Sequence, residues 1–234
     1  MTEADKNAAP ALLPADSVVI SLDVESTGKP PRAPVLKIGV AASFPDGHEC
    51  VIGDFMLRRV GLDMASAMGL GPVDPDVLRW WMKQSDAARF DTFECGVNRF
   101  YDIWSAVLQL STIMQEIKDK AGALPCWLLI KRPQYDLPLL ENFLRAGDRD
   151  PEEVLGSFRA VIDFATEQLR FKWLAQQFLP PEQAEAFMHV DRPLGAVPHT
   201  AHGDAFYQVV CLRTWEKRLK VLSTAFKTTE SQTK

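Results

Sequence analysis

Residues 18–24 are apolar at nearly every position, and several of them are β-branched. This composition is typical of a strand that is covered on both faces. Residues 35–43 and 48–57 have a similar composition, and the turn-forming sequence Pro-Asp-Gly at 45–47 separates them. The pattern therefore predicts three consecutive strands in an antiparallel meander.

After residue 73 the apolar positions recur at helical spacing. Asp74 is placed as an N-cap, and Pro75 takes the first helical position. Residues 98–120 repeat apolar side chains every three or four positions, and Gly122 follows as a helix terminator. Two helices are therefore expected in this region.

The remaining chain alternates between short apolar runs and helical patterns. The predicted strands are residues 125–130 and 160–164, and the predicted helices are residues 137–146, 165–178 and 205–219. Residues 179–199 are expected to form a long connection interrupted by proline. This order predicts an α/β fold with a mixed five-stranded sheet flanked by helices.

The length of 234 residues fits one domain with a sizeable core. We expect a flexible lead-in at 1–16, a single domain at 17–220 and a polar tail at 221–234. The net charge of −5 excludes a protein that coats nucleic acid through bulk positive charge. It does not exclude a nuclease, because divalent cations can supply positive charge.

The four cysteines form no C-x-x-C pair and indicate a reducing compartment. No apolar run approaches the roughly 20 residues of a membrane span, and the N-terminus lacks the features of a signal peptide. We therefore expect a cytoplasmic protein without a membrane partner.

Asp23 and Glu25 lie at the end of the first predicted strand. Because strand side chains alternate, both acids point to one face, while Leu22 and Val24 point to the other. Neighbouring carboxylates repel each other, and a divalent cation with a preference for oxygen ligands removes that cost. The alternative is two solvated acids at a strand end.

Further acids and histidines occur where α/β folds place their sites. Asp136 follows the fourth predicted strand at a helix start, where it is either a first-turn acid or a third functional carboxylate. Asp204 falls in the first turn of the last helix, and His199 lies in the loop before it. A neutral imidazole can accept a proton from water near pH 7. The alternative is a surface pair, His199 and His202, beside a helix-terminal acid.

Taken together, these features resemble the DEDDh 3′–5′ exonuclease superfamily, which has a ribonuclease-H-like fold. The shared features are D-x-E on the first strand, an acid after the fourth strand and H-x-x-x-x-D opening the last helix. Residues 74–89 also look like the D-P-x-x-x-x-W-W-x-x-Q-S-x-x-A-R segment of the phage exonuclease A and mycobacterial-type exoribonuclease subfamily. The resemblance covers about residues 17–217.

The resemblance implies a hydrolase that removes nucleoside 5′-monophosphates from the 3′ end of DNA or RNA with two Mg²⁺ or Mn²⁺ ions. The implied metal ligands are Asp23, Glu25, Asp136 and Asp204. His199 would be the general base. Two cations can stabilise both the attacking and the leaving oxygen of an in-line displacement.

Four residues are expected to contact the substrate. Thr27 and Gly28 match the E-x-T-G turn at which backbone groups meet the terminal nucleotide. Adjacent helical residues face different ways, so one of Trp80 and Trp81 should lie in the core. We assign base stacking to Trp81 and a hydrogen bond with a base or sugar edge to Gln84, with core and interface packing as the alternative.

The chain departs from the family pattern at two places. The stretch before Asp136 contains Lys131 and Arg132, which either meet phosphate or form a solvated edge. The R-D-x-R-T motif is reduced to Asp163 and Thr166 without its arginines. The sequence therefore leaves undecided which residues bind the substrate on that side.

Three functional questions stay open at the level of the sequence. DNA is slightly favoured over RNA as the single-stranded or 3′-tailed substrate. An inactive binding or scaffold module and a phosphodiesterase of short oligonucleotides are the alternatives to a polymer exonuclease. The resemblance allows a homodimer, although the sequence identifies no interface.

Overall fold

The computed structural model describes residues 16–45, 55–93, 100–156 and 160–232. The strands are β1 Val18–Ser26, β2 Val35–Ser43, β3 Phe55–Leu62, β4 Phe100–Tyr101, β5 Cys126–Ile130 and β6 Val161–Asp163. They form one mixed sheet in the order β4-β3-β2-β1-β5-β6. The strands β1, β2 and β3 form the expected antiparallel meander, whereas β5 runs parallel to both β1 and β6.

The predicted α/β fold is confirmed, and all five predicted strands are present. The third strand lies further along the chain than predicted, at Phe55–Leu62, and most of the predicted range 48–57 and of its turn falls outside the described residues. The two-residue strand β4 adds a sixth strand beside β3, in a stretch that the sequence placed in a helix.

The helices are α1 Met64–Gly69, α2 Pro75–Trp81, α3 Asp86–Phe93, α4 Ile103–Ala121, α5 Pro133–Ala146, α6 Pro151–Leu155, α7 Phe164–Ala175, α8 Pro181–Met188 and α9 Ala201–Gln232. The predicted Pro-broken connection contains α8, which begins at a proline that takes an early helical position. Likewise, α5 begins at a proline, Pro133, four residues before the predicted start. Pro138 lies inside this helix.

Helix ends follow the expected capping chemistry. The Asp74 carboxylate accepts hydrogen bonds from the backbone N–H groups of Asp76 and Val77 and so caps α2. Gly122 ends α4 with a φ of 59°, a conformation that glycine adopts without strain. Asp163 caps α7 and also accepts a hydrogen bond from the Thr166 hydroxyl at 2.9 Å. The residues that remain of the R-D-x-R-T motif therefore form a helix cap.

Two apolar clusters cover the two faces of the sheet. One face buries Leu22 and Val24 of β1 against α4 and α5. The other face buries Val19 against α7, α8 and α9, whose core residues include Trp215. The alternation along β1 therefore assigns its odd-numbered residues to the face that α9 covers.

The last helix is longer than predicted, because α9 continues to Gln232 through most of the range expected as a polar tail. Residues 1–15, most of the expected lead-in, lie outside the described residues. Cys126 and Cys211 are free thiols, while Cys50 and Cys95 fall outside the description. Within the described ranges, no helix has both the length and the apolarity needed to cross a membrane.

Candidate active site

Asp23 and Glu25 project from β1 toward the face covered by α9. In the antiparallel register Asp23 lies opposite Gly39 of β2, and Glu25 lies opposite Lys37. The side chain of Asp23 is 9% exposed and that of Glu25 is 7% exposed. Both predicted acids therefore share one face, and both are buried rather than solvated.

Gly39 allows the start of α9 to approach the sheet closely. A Cβ atom at Gly39 would lie 2.1 Å from the carbonyl carbon and oxygen of Ala201. The missing side chain thus lets the first turn of α9 cross β2 directly beside Asp23. Asp204 lies in that first turn.

This crossing brings three carboxylates together. One oxygen each from Asp23, Glu25 and Asp204 lies within 4.8 Å of the others, and all three residues are buried. Asp136 occupies the first turn of α5, which follows β5 at the carboxyl end of the strand next to β1. It is 7% exposed, and its charge acts on both Asp23 and Glu25. The structure thus gathers all four acids that the sequence singled out.

Burial and mutual repulsion favour the protonated acids in the absence of a cation. Burial, followed by the charges of Glu25, Asp136 and Asp204, raises the pKa of Asp23 well above its usual value. Burial together with Asp204 and Asp136 raises the pKa of Glu25 to about 8. Burial also raises the pKa of Asp136 to about 7. Such a cluster is stabilised as carboxylates only when positive charge enters it.

Asp204 is oriented by two groups of the loop that precedes α9. The Arg192 guanidinium donates to Asp204 Oδ1 at 2.7 Å, and the His199 backbone N–H donates to Oδ2 at 3.2 Å. Arg192 also lies over the Tyr207 ring, 4.3 Å from its centroid. Sequence reasoning missed Arg192, because a loop residue has no periodicity that connects it to an acid on a helix.

Asp23 is oriented by the next turn of the same helix. Gln208 Nε2 donates to Asp23 Oδ1 at 3.1 Å, while Gln208 Oε1 accepts from the Ser21 hydroxyl at 3.2 Å. These two bonds fix the orientation of the Gln208 amide. Gln208 is four residues after Asp204, so helical spacing from the predicted ligand could have identified it.

His199 lies at the rim of the acid cluster. Its backbone has a φ of 58°, which is uncommon for a residue with a side chain, and this conformation accompanies the N–H bond to Asp204. The imidazole meets the edge of Trp80, with ring centroids 5.1 Å apart and planes at 88°. His199 is thus brought to the acids, and its role as a base remains a proposal.

The two adjacent tryptophans have opposite environments, and the assignment of base stacking to Trp81 is wrong. Trp81 is 2% exposed, and its indole N–H donates to the Ser26 carbonyl at 2.8 Å. Its ring is enclosed and offers no face to a base. Trp80 is 42% exposed and contacts His199, so Trp80 is the tryptophan at the site.

The other predicted substrate residues lie around the end of β1. The Thr27 carbonyl accepts from the Asp74 N–H at 2.8 Å, which joins this turn to the start of α2. The Gly28 carbonyl accepts from the Tyr135 hydroxyl at 2.7 Å. Gln84 donates through its side chain to the Trp80 carbonyl at 3.0 Å. Their contacts with a substrate stay predictions.

A buried ion pair lies beside Glu25. Lys37 is 2% exposed, and its ammonium lies 3.4 Å from the carboxylate of Asp91 on α3. His202 Nδ1 is 3.9 Å from the same carboxylate. His202 therefore faces Asp91 and is separate from His199, the histidine that contacts Asp204.

Several solved structures are similar to this chain, and one of them has a TM-score above 0.5. A structure of exonuclease I has a TM-score of 0.51 and 12% identity, covering 89% of this chain and 42% of that chain. A metal-free complex of E. coli exonuclease I with single-stranded DNA has a TM-score of 0.46 and 16% identity, covering 88% and 40%. The chain thus spans about two-fifths of these exonuclease I chains.

The nuclease domain of 3′hExo, described as a DEDDh family member bound to rAMP, has a TM-score of 0.48 and 14% identity. The match covers 86% of this chain and 92% of that domain. The likeness to exonuclease I confirms the predicted ribonuclease-H-like fold.

The sequence itself assigns the family. No curated protein matches the chain. The model of the 3′-5′ exoribonuclease Rv2179c-like domain matches residues 18–216, which includes β1, the D-P-x-x-x-x-W-W segment and the start of α9. The predicted membership of the DEDDh 3′–5′ exonuclease superfamily is confirmed, and the chain belongs to the family of 3′-5′ exoribonuclease Rv2179c-like domains.

Proposed function

We propose that the protein is a metal-dependent exonuclease that hydrolyses single-stranded or 3′-tailed RNA from the 3′ end and releases nucleoside 5′-monophosphates. The convergence of Asp23, Glu25 and Asp204 oxygens within 4.8 Å is the observation that carries the proposal. The family supports the nuclease chemistry, and its description as exoribonucleases favours RNA. This reverses the slight preference for DNA that the sequence resemblance suggested.

The donor set fits hard divalent cations. Carboxylate oxygens are the ligands that Mg²⁺ and Mn²⁺ prefer, and the side chains of Asp23, Glu25 and Asp204 offer them in a buried site. We propose that these three residues and Asp136 hold two such ions. When bound, the ions would supply charge stabilisation for the attacking and leaving oxygens and a more acidic water.

The side chains of the protein position the reactants and move the proton. An imidazole nitrogen of His199 accepts the proton of the attacking water as the water oxygen bonds to the terminal phosphorus. The bond from that phosphorus to the 3′ oxygen of the preceding nucleotide breaks, and the shortened strand leaves with this oxygen. His199 is held beside the acids by its ring contact with Trp80 and by the hydrogen bond that its own backbone N–H donates to Asp204. Arg192 and Gln208 fix the carboxylates of Asp204 and Asp23, so that the ligands need little reorganisation.

The proposal is tested with matched ribose and deoxyribose oligonucleotides that carry a label at either end, in Mg²⁺ or Mn²⁺. A 5′ label should give a ladder of shortening products, whereas a 3′ label should appear at once as a mononucleotide. RNA should be shortened faster than DNA. Asp23→Asn should lower the rate at least roughly 100-fold, because even outer groups at metal sites cost 10–100-fold.

Asp148→Asn is the matched control. Asp148 is exposed and has a φ of 57°, a conformation that asparagine tolerates, so this variant should keep the parental rate. Binding without shortening by the parent would replace the proposal with a binding module. Cleavage confined to the shortest members of a length series would indicate a phosphodiesterase of short oligonucleotides.

A further inference from the structure

A lysine lies beside the acid cluster at the end of the central strands. In the parallel pairing of β1 and β5, Leu22 lies opposite Ile130, so the next positions along the two strands are Asp23 and Lys131. Leu22 and Ile130 both belong to the core cluster on the α4 and α5 side. Lys131 is the first residue after β5, so it lies at the same end of the sheet as Asp23 on the neighbouring strand.

Lys131 is close to the acids without being bound by them. Its charge lowers the pKa of Asp23, Glu25 and Asp136 alike, which locates it near all three carboxylates. The residue is nevertheless exposed, and within the described ranges its ammonium forms no ion pair. Its N–H donors are therefore available to an anion that enters the site.

The neighbouring cation is placed differently. Arg132 is also exposed, but it lies at the N-cap position of α5. Its charge lowers the pKa of Asp136, but less than the charge of Lys131 does. Of these two cations, Lys131 has the larger effect on Asp136 and also lowers the pKa of Asp23 and Glu25.

The net charge of the site changes when a phosphodiester enters it. Four carboxylates and two divalent cations together carry no net charge, while a phosphodiester brings one negative charge and gains more as water adds to it. A cation that holds no metal-ligating carboxylate can stabilise this charge directly.

We propose that Lys131 binds a non-bridging oxygen of the phosphate group at the 3′-terminal linkage of the substrate. This inference rests on the proposed function and deepens it, because it assigns the phosphate contact to a residue at which the chain departs from its family pattern. Lys131 acts here on the substrate anion and leaves the cations to the four acids.

Three variants separate this role from others. Lys131→Gln removes the charge, and Lys131→Arg keeps it. Lys220→Gln is the matched control, since Lys220 is exposed on α9 about 24 Å from Asp204 at 1.5 Å of rise per residue. For each protein we would measure kcat/KM on the preferred oligonucleotide, the salt dependence of kcat/KM and the Mn²⁺ affinity without nucleic acid.

Lys131→Gln should lower kcat/KM roughly 10- to 100-fold, the loss of one charged hydrogen bond. The negative slope of log kcat/KM against log salt concentration should become shallower by about 0.7, the value for one lost phosphate contact with a single strand. Mn²⁺ should bind as tightly or more tightly, because a repelling cation has been removed. Lys131→Arg should recover much of the rate, and Lys220→Gln should behave as the parent.

Unchanged kcat/KM and salt dependence in Lys131→Gln would overturn the inference while the exonuclease function stands. A parallel loss of Mn²⁺ affinity and rate would overturn it in favour of a role in holding the acids. If the parent shortens no oligonucleotide, the proposed function fails. The affinity for adenosine 5′-monophosphate in Mn²⁺ then decides, and equal affinity of parent and Lys131→Gln overturns the phosphate contact.

Discussion

The neighbouring residues Trp80 and Trp81 show how one helical step separates a buried position from one at the candidate site. The indole N–H of Trp81 donates to the Ser26 carbonyl, at the end of the strand that carries Asp23 and Glu25. Trp80 stays half-exposed against His199. Trp81 therefore supports the strand end from within, and Trp80 borders the site.

Replacing Trp81 by phenylalanine should destabilise the fold. The substitution leaves the buried Ser26 carbonyl without its indole donor, which costs about 1–3 kcal/mol in the free energy of unfolding. The matched Trp80→Phe change keeps an aromatic ring in a half-exposed position and should stay within about 0.5 kcal/mol of the parent. Urea denaturation of the metal-free proteins measures both, and equal losses would contradict the distinction.

At the scale of elements, the site depends on the crossing of α9 over β2. The absence of a side chain at Gly39 allows the Ala201 backbone to approach the sheet. One turn of α9 then places Asp204 beside Asp23, and the following turn places Gln208 on Asp23. The loop before the helix contributes Arg192 and His199 to the same carboxylate.

Gly39→Ala should therefore damage the site from a position that touches no ligand. The added methyl group would lie 2.1 Å from Ala201 backbone atoms, so the start of α9 has to move. A displacement of about 1 Å can cost 10²-fold in rate, and we expect weaker Mn²⁺ binding together with at least roughly 10-fold lower activity.

Gly69→Ala is the control for this prediction. A Cβ atom at Gly69 would meet nothing within 4 Å, and the residue lies in α1. The substitution should leave activity unchanged and stabilise the fold by about 0.4–1 kcal/mol. Parental Mn²⁺ affinity in Gly39→Ala would show that the helix crossing does not position Asp204.

At the scale of the whole molecule, folding buries a repelling acid cluster, and this links stability to pH. The folded state raises the pKa of Glu25 to about 8 and that of Asp136 to about 7, both mainly through burial. An unfolded carboxyl titrates near 4. The folded state therefore keeps protons that the unfolded state has released, and the contribution to stability is lost as pH rises from about 4 to about 8.

The metal-free protein should accordingly lose stability between pH 5 and pH 8. Glu25→Gln removes one titrating group and should flatten this dependence, and Mn²⁺ should stabilise the parent more at pH 8 than at pH 5. Urea denaturation at each pH, with chelator or with Mn²⁺, measures the difference. If the free energy of unfolding depended on pH equally in the parent and in Glu25→Gln, the link between the Glu25 pKa and stability would be contradicted.

Local sequence patterns were sufficient where neighbouring residues decide the structure. The apolar run of β1 and the Asp74 cap depend on residues within one strand or one helical turn, and they were predicted correctly. Prolines misled the prediction at α5 and α8, because proline fits the first turn of a helix as well as a connection. The position of β3 depends on pairing with β2, which local composition does not specify.

The sequence by itself determined the family, the α/β class and the identity of the four acids, because motif spacing and strand alternation are properties of the linear chain. Only the tertiary structure decided which tryptophan is buried and which groups orient the carboxylates of Asp23 and Asp204. Gln208 reaches Asp23 across 185 residues, and Arg192 reaches Asp204 from a loop. Such contacts arise from the packing of α9 on the sheet, for which a single sequence contains no periodic signal.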